Sequence, residues 1–396
     1  AAAALGKRLS VFEGLMCLMI SLALSEFSYR FVENPVRRNH KIAGVRALVL
    51  AVSLIAVVSG SAVLAQNNQP LRDGGWSATA PTLVTESSTT TDSNVPTTTI
   101  PTMPELPNEG PPVEAIVQAM TATGLPSNIT PTLQQAISDM PTIYSNNCHA
   151  GFSTTRPKNC VYGDATSSTI IGLYGDSHAA QWFPALNQIA LERQWRLVIL
   201  TKMGCTTIDL ITANSLVGPT YPGCRPWREK VIERFVAENV RVVFMTNSNR
   251  LTDPSTGQPF ADSIVKAGSA TLMTQLQSMG ISPIVITDTP YPGTDVPICL
   301  SKAIKNVGSC AFSRDKGIRA NRQQTSIDVA VENNAQYLDV SHWVCSLDTC
   351  PVITGNILMY RDSHHLTTTY VQFLTPLIDA AISPYVDGVR SRISAS

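Results

Sequence analysis

"IIGLYGDSHAAQWFPAL", residues 170–186, decides how the chain is read. An apolar, strand-like run ends at Gly175-Asp176-Ser177, and a helix-like pattern begins at once. Gly175 permits a corner sharp enough to hold a serine at the end of a strand. Asp and Ser are also ordinary turn and N-cap residues, so this corner alone suits a plain helix start as well as a nucleophile.

Outward from that corner the chain alternates. Runs at 168–174, 196–201, 241–246, 283–287 and 336–340 predict strands. Patterns near 179–193, 226–239, 262–279, 320–334 and 367–382 predict helices. Such alternation implies an α/β fold with a parallel sheet covered on both faces. Ahead of it, "VEAIVQAMTATG" and "PTLQQAISDM" predict two short helices within 113–140, an accessory segment packed on the sheet domain. Residues 66–112, with "TESSTTTDSNVPTTTIPTMPELPNEGPP", are too rich in Thr, Ser and Pro to bury a core, which predicts a disordered tether. A coil of that length spans roughly 35–40 Å.

Further upstream, "ALVLAVSLIAVVSGSAVLA" at 47–65 is uncharged and long enough to cross a bilayer. "GLMCLMISLALS" at 14–25 is shorter and lies between Glu13 and Glu26. Arg30, Arg37, Arg38, Lys41 and Arg46 separate the two, and the positive-inside rule places that loop in the cytoplasm. A transmembrane hairpin would then put everything after residue 65 on the extracytoplasmic side. The rival reading makes 41–65 a secretory signal ending at Val63-Leu64-Ala65, which exports the same part.

Composition agrees with export. The 29 basic and 29 acidic residues balance, so no excess positive charge exists to hold nucleic acid. Cys17 sits alone in an apolar run, while eight cysteines follow residue 147. Read as sequence neighbours they are Cys148 with Cys160, Cys205 with Cys224, Cys299 with Cys310, and Cys345 with Cys350. Eight cysteines allow about 105 connectivities, so spacing leaves the pairing open. Without Cys-x-x-Cys or paired-histidine spacing, disulfides in an oxidising compartment are favoured over zinc, and no metal or organic cofactor is expected in this domain.

A serine needs a base. "YRDSHHLTT" at 360–368 offers one, with Asp362 and His365 three apart ahead of the last helix. This spacing lets the carboxylate hold Nδ1 and leaves Nε2 for the serine. The plain alternative is a polar loop with Asp362 or Thr367 as a cap.

Gly175-Asp176-Ser177 near one end and Asp362-x-x-His365-Leu366-Thr367 near the other resemble the SGNH hydrolase family. The resemblance implies a flavodoxin-like three-layer fold, a Ser177–His365–Asp362 triad, and oxyanion donors at the next two strand ends. Gly204 in "LTKMGC" matches the glycine position, and in "FMTNSNR" register favours Asn249, with Asn247 as the alternative. That third motif lacks the usual glycine and trailing aspartate. The apolar run that ends in "SEFSYRFVENPVRR" is similar to the last transmembrane helix and cytoplasmic exit of the membrane acyltransferase-3 family, often fused to an extracytoplasmic SGNH domain. Acetyl-CoA would then be the donor used by the membrane part upstream, and an envelope polysaccharide or glycolipid the acceptor.

The residues beside these motifs read more plainly. His178 is expected at the rim or as a cap, His364 facing away from the site, and Asp176 holding the turn. Trp182, Phe183, Trp227 and Tyr221 are expected in core or loop packing. The expected organisation is 1–65 membrane hairpin, 66–112 linker, 113–140 accessory segment and 141–396 SGNH domain. The expected activity is O-acyl transfer, most simply acetyl transfer, to a glycan hydroxyl. A carbohydrate esterase using water and an inactive glycan-binding module are the alternatives.

Overall fold

The computed structural model describes residues 77–81, 83, 124–214, 217–218 and 220–395, together with Met19, Leu22, Glu26, Tyr29 and Arg30. The chain divides into two units, Ala1–Asp73 and Gly74–Ser396. In the first, Arg30 pairs with Glu26 one helical turn away at 2.6 Å. Among the described residues no helix is long and apolar enough to cross a membrane. The run at 47–65, nearly all of 14–25, most of the linker and the first accessory helix lie outside the described residues.

The second unit is built on seven strands: β1 (His149–Ala150), β2 (Val161–Gly163), β3 (Ile170–Gly175), β4 (Arg196–Lys202), β5 (Val242–Thr246), β6 (Ser282–Ile286) and β7 (Gln336–Leu338). The order is β1-β4-β3-β5-β6-β7, with every neighbour on that path parallel, while β2 pairs antiparallel with β4. Taking β3 as the first of the five strands β3 to β7 gives the flavodoxin-like order 2-1-3-4-5, whose ligand crevice opens between β3 and β5.

Helices α1 (Ser177–Ala180), α2 (Phe183–Glu192), α3 (Cys224–Ala237), α4 (Asp262–Ser278), α5 (Val296–Lys302), α6 (Ala320–Glu332), α7 (Thr368–Phe373) and α8 (Thr375–Ala395) cover the sheet. The period-2 alternation of the strands sorts side chains into two cores. Ile171, Leu173, Leu197, Ile199, Val242, Phe244 and Ile284 face the side carrying α2, α7 and α8. Tyr174, Val198, Leu200, Val243, Met245 and Val285 face α3 and α4. Both faces are thus apolar, which is why these strands read as continuous hydrophobic runs.

Five differences from the expected elements have local causes. The helix expected at 179–193 is two pieces, because Pro184 lacks an N–H and suits only the first turn of a helix that restarts at Phe183. The last helix is likewise divided, at Leu374, and then runs on to Ala395 through Pro384. "PTLQQAISDM" forms only a 3₁₀ turn at Ala136–Ser138. Ten residues bounded by Pro131 and Pro141 are too few to offset helix nucleation, and Asp139 instead accepts from Thr369 N at 3.0 Å. Part of the expected tether packs down: Ala78 N donates to Asn128 Oδ1 at 3.1 Å, Asn128 Nδ2 donates to Ala78 O at 2.7 Å, and Ala80 and Leu83 rest on the core. Strands β1 and β2, helix α5 and two small ribbons (Phe312–Ser313 with Thr349–Cys350, Ile353–Thr354 with Ile357–Leu358) were not anticipated; each strand is too short to carry a period.

Candidate active site

Gly175 ends β3 with φ +150°, and a Cβ there would sit 1.9 Å from Thr246 O on the adjacent strand. Only glycine lets the chain bend this close to β5. Asp176 then caps α1, its Oδ1 accepting from His178 N at 2.8 Å, and its Oδ2 accepts from Ser248 N at 2.9 Å. Asp176 therefore holds both the corner and the loop after β5. Burial raises its carboxyl to about 6, against the lowering effect of His178 and the two backbone N–H groups. Ser177 opens α1, half-buried at the C-terminal edge of the sheet. Because α1 is a single turn, donors near Ser177 act as local N–H groups rather than through the dipole of a long helix.

Asp362 and His365 lie in a loop closed by an Arg361 N–His365 O bond of 3.0 Å. Asp362 Oδ1 accepts from the backbone N–H of His364 and of His365, both at 2.8 Å, and Oδ2 contacts His365 Nδ1 at 2.8 Å. Burial opposes a charge on Asp362, but the His365 contact and the two N–H groups prevail and hold it below the usual carboxylate range. His365 is pushed down to about 3 by burial and by the positive charges of His178 and Arg361, with Asp362 opposing. It is therefore neutral near pH 7. Its Nε2 is buried and makes no hydrogen bond, to Ser177 or otherwise. Gln181 straps the two segments together, its Oε1 accepting from Leu366 N at 3.0 Å.

Gly204 turns the chain after β4 with φ +56°, and the Cys205–Cys224 disulfide ties its loop to α3. Asn247 Oδ1 accepts from Thr207 N at 2.8 Å, joining the loops after β4 and β5. Asn249 is held by its backbone N–H, which donates to Asp288 Oδ2 at 2.6 Å. All four neighbouring cysteine pairs are disulfides: Cys148–Cys160, Cys205–Cys224, Cys299–Cys310 and Cys345–Cys350. Trp182, Phe183, Trp227 and Tyr221 are buried in the two cores.

Two histidines depart from expectation. His178 is neither rim nor cap: it is 1% exposed, and only its backbone takes part in the cap. Its Nδ1 lies 2.6 Å from Asp288 Oδ1, an ion pair by distance whose angle falls short of a hydrogen bond. Its Nε2 meets Tyr291 Oη at 3.2 Å, and that hydroxyl meets Ser248 Oγ at 2.6 Å. Burial works against charge on His178, yet Asp288, Asp176 and Asp362 outweigh it and raise its pKa. His364 does not face away either; its ring centre is 4.0 Å from that of His365 and 5.5 Å from that of His178. Asp288 and Tyr291 went unread because neither belongs to a spaced motif, although Asp288 follows β6 as directly as Ser177 follows β3.

A family model described as "SGNH domain (fused to AT3 domains)" matches residues 147–380. The chain belongs to the SGNH domain family. This SGNH domain is similar to the periplasmic domain of a lipopolysaccharide acetyltransferase from Salmonella ser. Paratyphi A, at 15% identity over 61% of this chain and 87% of that one, with a TM-score of 0.44. It is also similar to a putative SGNH hydrolase from Slackia heliotrinireducens, at 13% identity over 55% of this chain and 100% of that one, with a TM-score of 0.34. A GDSL-like lipase from Bacteroides thetaiotaomicron matches at 10% identity over 55% and 88%, with a TM-score of 0.32. No curated protein matches the chain. The SGNH hydrolase fold implies esterase or acyltransferase activity.

Proposed function

We propose that the chain carries an extracytoplasmic O-acyltransferase domain that moves an acyl group, acetyl in the first place, through a Ser177 acyl-enzyme to a hydroxyl of an envelope glycan or glycolipid. The observation that carries this reading is the Asp362–His365 pair, with its neutral imidazole and bare Nε2 beside the segment that presents Ser177. His365 Nε2 takes the Ser177 hydroxyl proton as Oγ attacks the acyl carbonyl. Ser177 N–H, Gly204 N–H and the Asn249 side-chain amide receive the oxyanion. Collapse of the tetrahedral adduct expels the donor's leaving group, which takes the proton from His365. An acceptor hydroxyl then gives its proton to His365, attacks the acyl-serine and releases Ser177. Water in place of that hydroxyl makes the same site an esterase. The fusion to AT3 domains in the family description favours transfer, with a membrane domain supplying acyl groups from acetyl-CoA.

The test is release of p-nitrophenol from its acetate by the full chain beside Ser177→Ala, followed by addition of candidate glycans. The reading expects release that depends on Ser177, and acetylated glycan formed at the expense of free acetate. Equal rates in both proteins, with no labelling of Ser177 by a serine-reactive phosphonate, would leave a glycan-binding module.

A further inference from the structure

Three imidazoles meet at the centre of this site. His178, His364 and His365 each offer a ring nitrogen, and the three atoms lie within 4.8 Å of one another. Ring centres are 5.0 Å apart for His178 and His365, 5.5 Å for His178 and His364, and 4.0 Å for His364 and His365. Three imidazoles on a tetrahedral zinc ion, with Zn–N near 2.0–2.1 Å, have ring centres about 5 Å apart. Two of the three separations already match. The third needs His364 to swing away from His365, and His364 is the one ring of the three with substantial exposure, its side chain 39% accessible.

The outer partners fit the same purpose. A metal-bound histidine characteristically gives its other nitrogen to a carboxylate, which fixes the ring and raises its basicity. His365 Nδ1 rests on Asp362 at 2.8 Å and His178 Nδ1 on Asp288 at 2.6 Å, so two independent carboxylates leave both Nε2 atoms for a ligand. His364 Nδ1 meets Ser363 Oγ at 3.0 Å. His365 Nε2 is buried and unpartnered, while the Tyr291 hydroxyl near His178 Nε2 retains Ser248 Oγ if that contact is given up. An all-imidazole set suits zinc, copper or nickel rather than magnesium or calcium. The eight cysteines from 148 to 350 are locked in disulfides and offer no competing thiolate. Sequence spacing gave no hint of this set because its members come from two distant segments brought together by the fold.

We propose that His178, His364 and His365 form a binding site for one divalent transition-metal ion, zinc foremost, and that the bound ion arrests acyl chemistry by occupying His365 Nε2. Each Nε2 replaces a water on the ion, and any proton it carries leaves to solvent. The arrest rests on the acyl-enzyme reading above, whereas binding does not.

The full chain, stripped with EDTA and dialysed free of it, is titrated with zinc by equilibrium dialysis and with cobalt(II) by visible spectroscopy. The expected result is one ion per chain, the intense d–d bands of a tetrahedral cobalt site, and at least tenfold weaker binding in His364→Ala. Because His364 is half-exposed, this variant should fold, and His364→Asn serves as its duplicate. Zinc should also raise the unfolding temperature of the parent chain and not of either variant. Labelling of Ser177 by the phosphonate should stop with zinc and return with EDTA, and in His364→Ala it should proceed alike with and without zinc. Absence of a stoichiometric ion, or binding unchanged by both His364 variants, overturns the site. Labelling undiminished at saturating zinc overturns the arrest. A chain that binds zinc through His364 yet never labels at Ser177, even metal-free, supports the site and counts against the acyl-enzyme instead.

Discussion

Asp362→Asn separates a triad from a structural loop. In the parent chain Oδ1 accepts from two backbone N–H groups and Oδ2 holds His365 Nδ1, each at 2.8 Å. An asparagine best satisfies the two N–H groups with its single carbonyl, which turns its NH₂ toward Nδ1. An NH₂ can only donate, so the ring proton moves to Nε2, the atom that must be bare to accept from Ser177. Restoring the productive tautomer sets two donors against each other. That forfeits a charge-assisted bond of about 1.5–3 kcal/mol and strands a buried donor at about 1–3 kcal/mol more. With 1.36 kcal/mol per decade, kcat should fall by about 10² to 10⁴, and the upper end agrees with the roughly 10⁴ lost on the same change in other Ser-His-Asp sites. The assay is Ser177-dependent p-nitrophenol release in chelating buffer, with thermal unfolding as the folding control. Since the folded-state pKa of Asp362 is depressed, its carboxylate stabilises the fold above the ordinary carboxylate range, and that contribution fades as pH falls. The variant should therefore be less stable than the parent at neutral pH and approach it in acid. A folded Asp362→Asn chain with kcat within about tenfold of the parent would refute the triad.

Gly175→Ala places a Cβ 1.9 Å from Thr246 O at a φ that suits glycine, so urea unfolding should show a loss of about 2–4 kcal/mol, and a loss under about 0.5 kcal/mol would mean the corner is not strained. His365 titrates near 3, so its own acid limb in kcat/KM for a neutral ester should lie below about pH 4, while Asp176, raised to about 6, is the group that can add a limb above it. His178→Gln removes a charge that depresses His365 and should move the His365 limb upward; a parent His365 ring that titrates by NMR at the ordinary histidine pKa would contradict the assignment. Asn249→Ala should lower kcat by about 10²–10³ with little change in unfolding temperature. Asn247→Ala should instead cost about 1 kcal/mol of stability through the lost Thr207 bond, and the reverse pattern would exchange the two roles.

Strands β3, β4, β5 and β6 were legible because each is buried on both faces and so stands out as an apolar run between turn residues. Strands β1 and β2, of two and three residues, are too short to show a period. Asp362 and His365 were readable because one local loop holds both partners at fixed spacing. Asp288 and His178 were not, since their pairing depends on the parallel order that brings the ends of β3, β5 and β6 together. Helix breaks at Pro184 and near Pro376 were visible as residues, but apolar periodicity running across them outweighed the missing N–H groups.

Two His–Asp pairs meet near the corner that carries Ser177, their rings 5.0 Å apart, and their electrostatics give them different capacities. His178 is clasped by Asp288 with Asp176 and Asp362 nearby, and the three carboxylates favour its protonated form. His365 has Asp362 alone against burial, Arg361 and the charge of His178, and these favour its neutral form. A general base must be unprotonated before the reaction begins, so His365 can take the serine proton while a protonated His178 cannot. Neighbouring groups pushed in opposite directions in this way are how a site divides acid–base duties. The pair that sequence spacing did not reveal thus adds to the state of the pair that it did: burial comes first in holding His365 neutral, and the charge of His178, next in the chain to Ser177 and with its ring 5.0 Å from that of His365, pushes the same way.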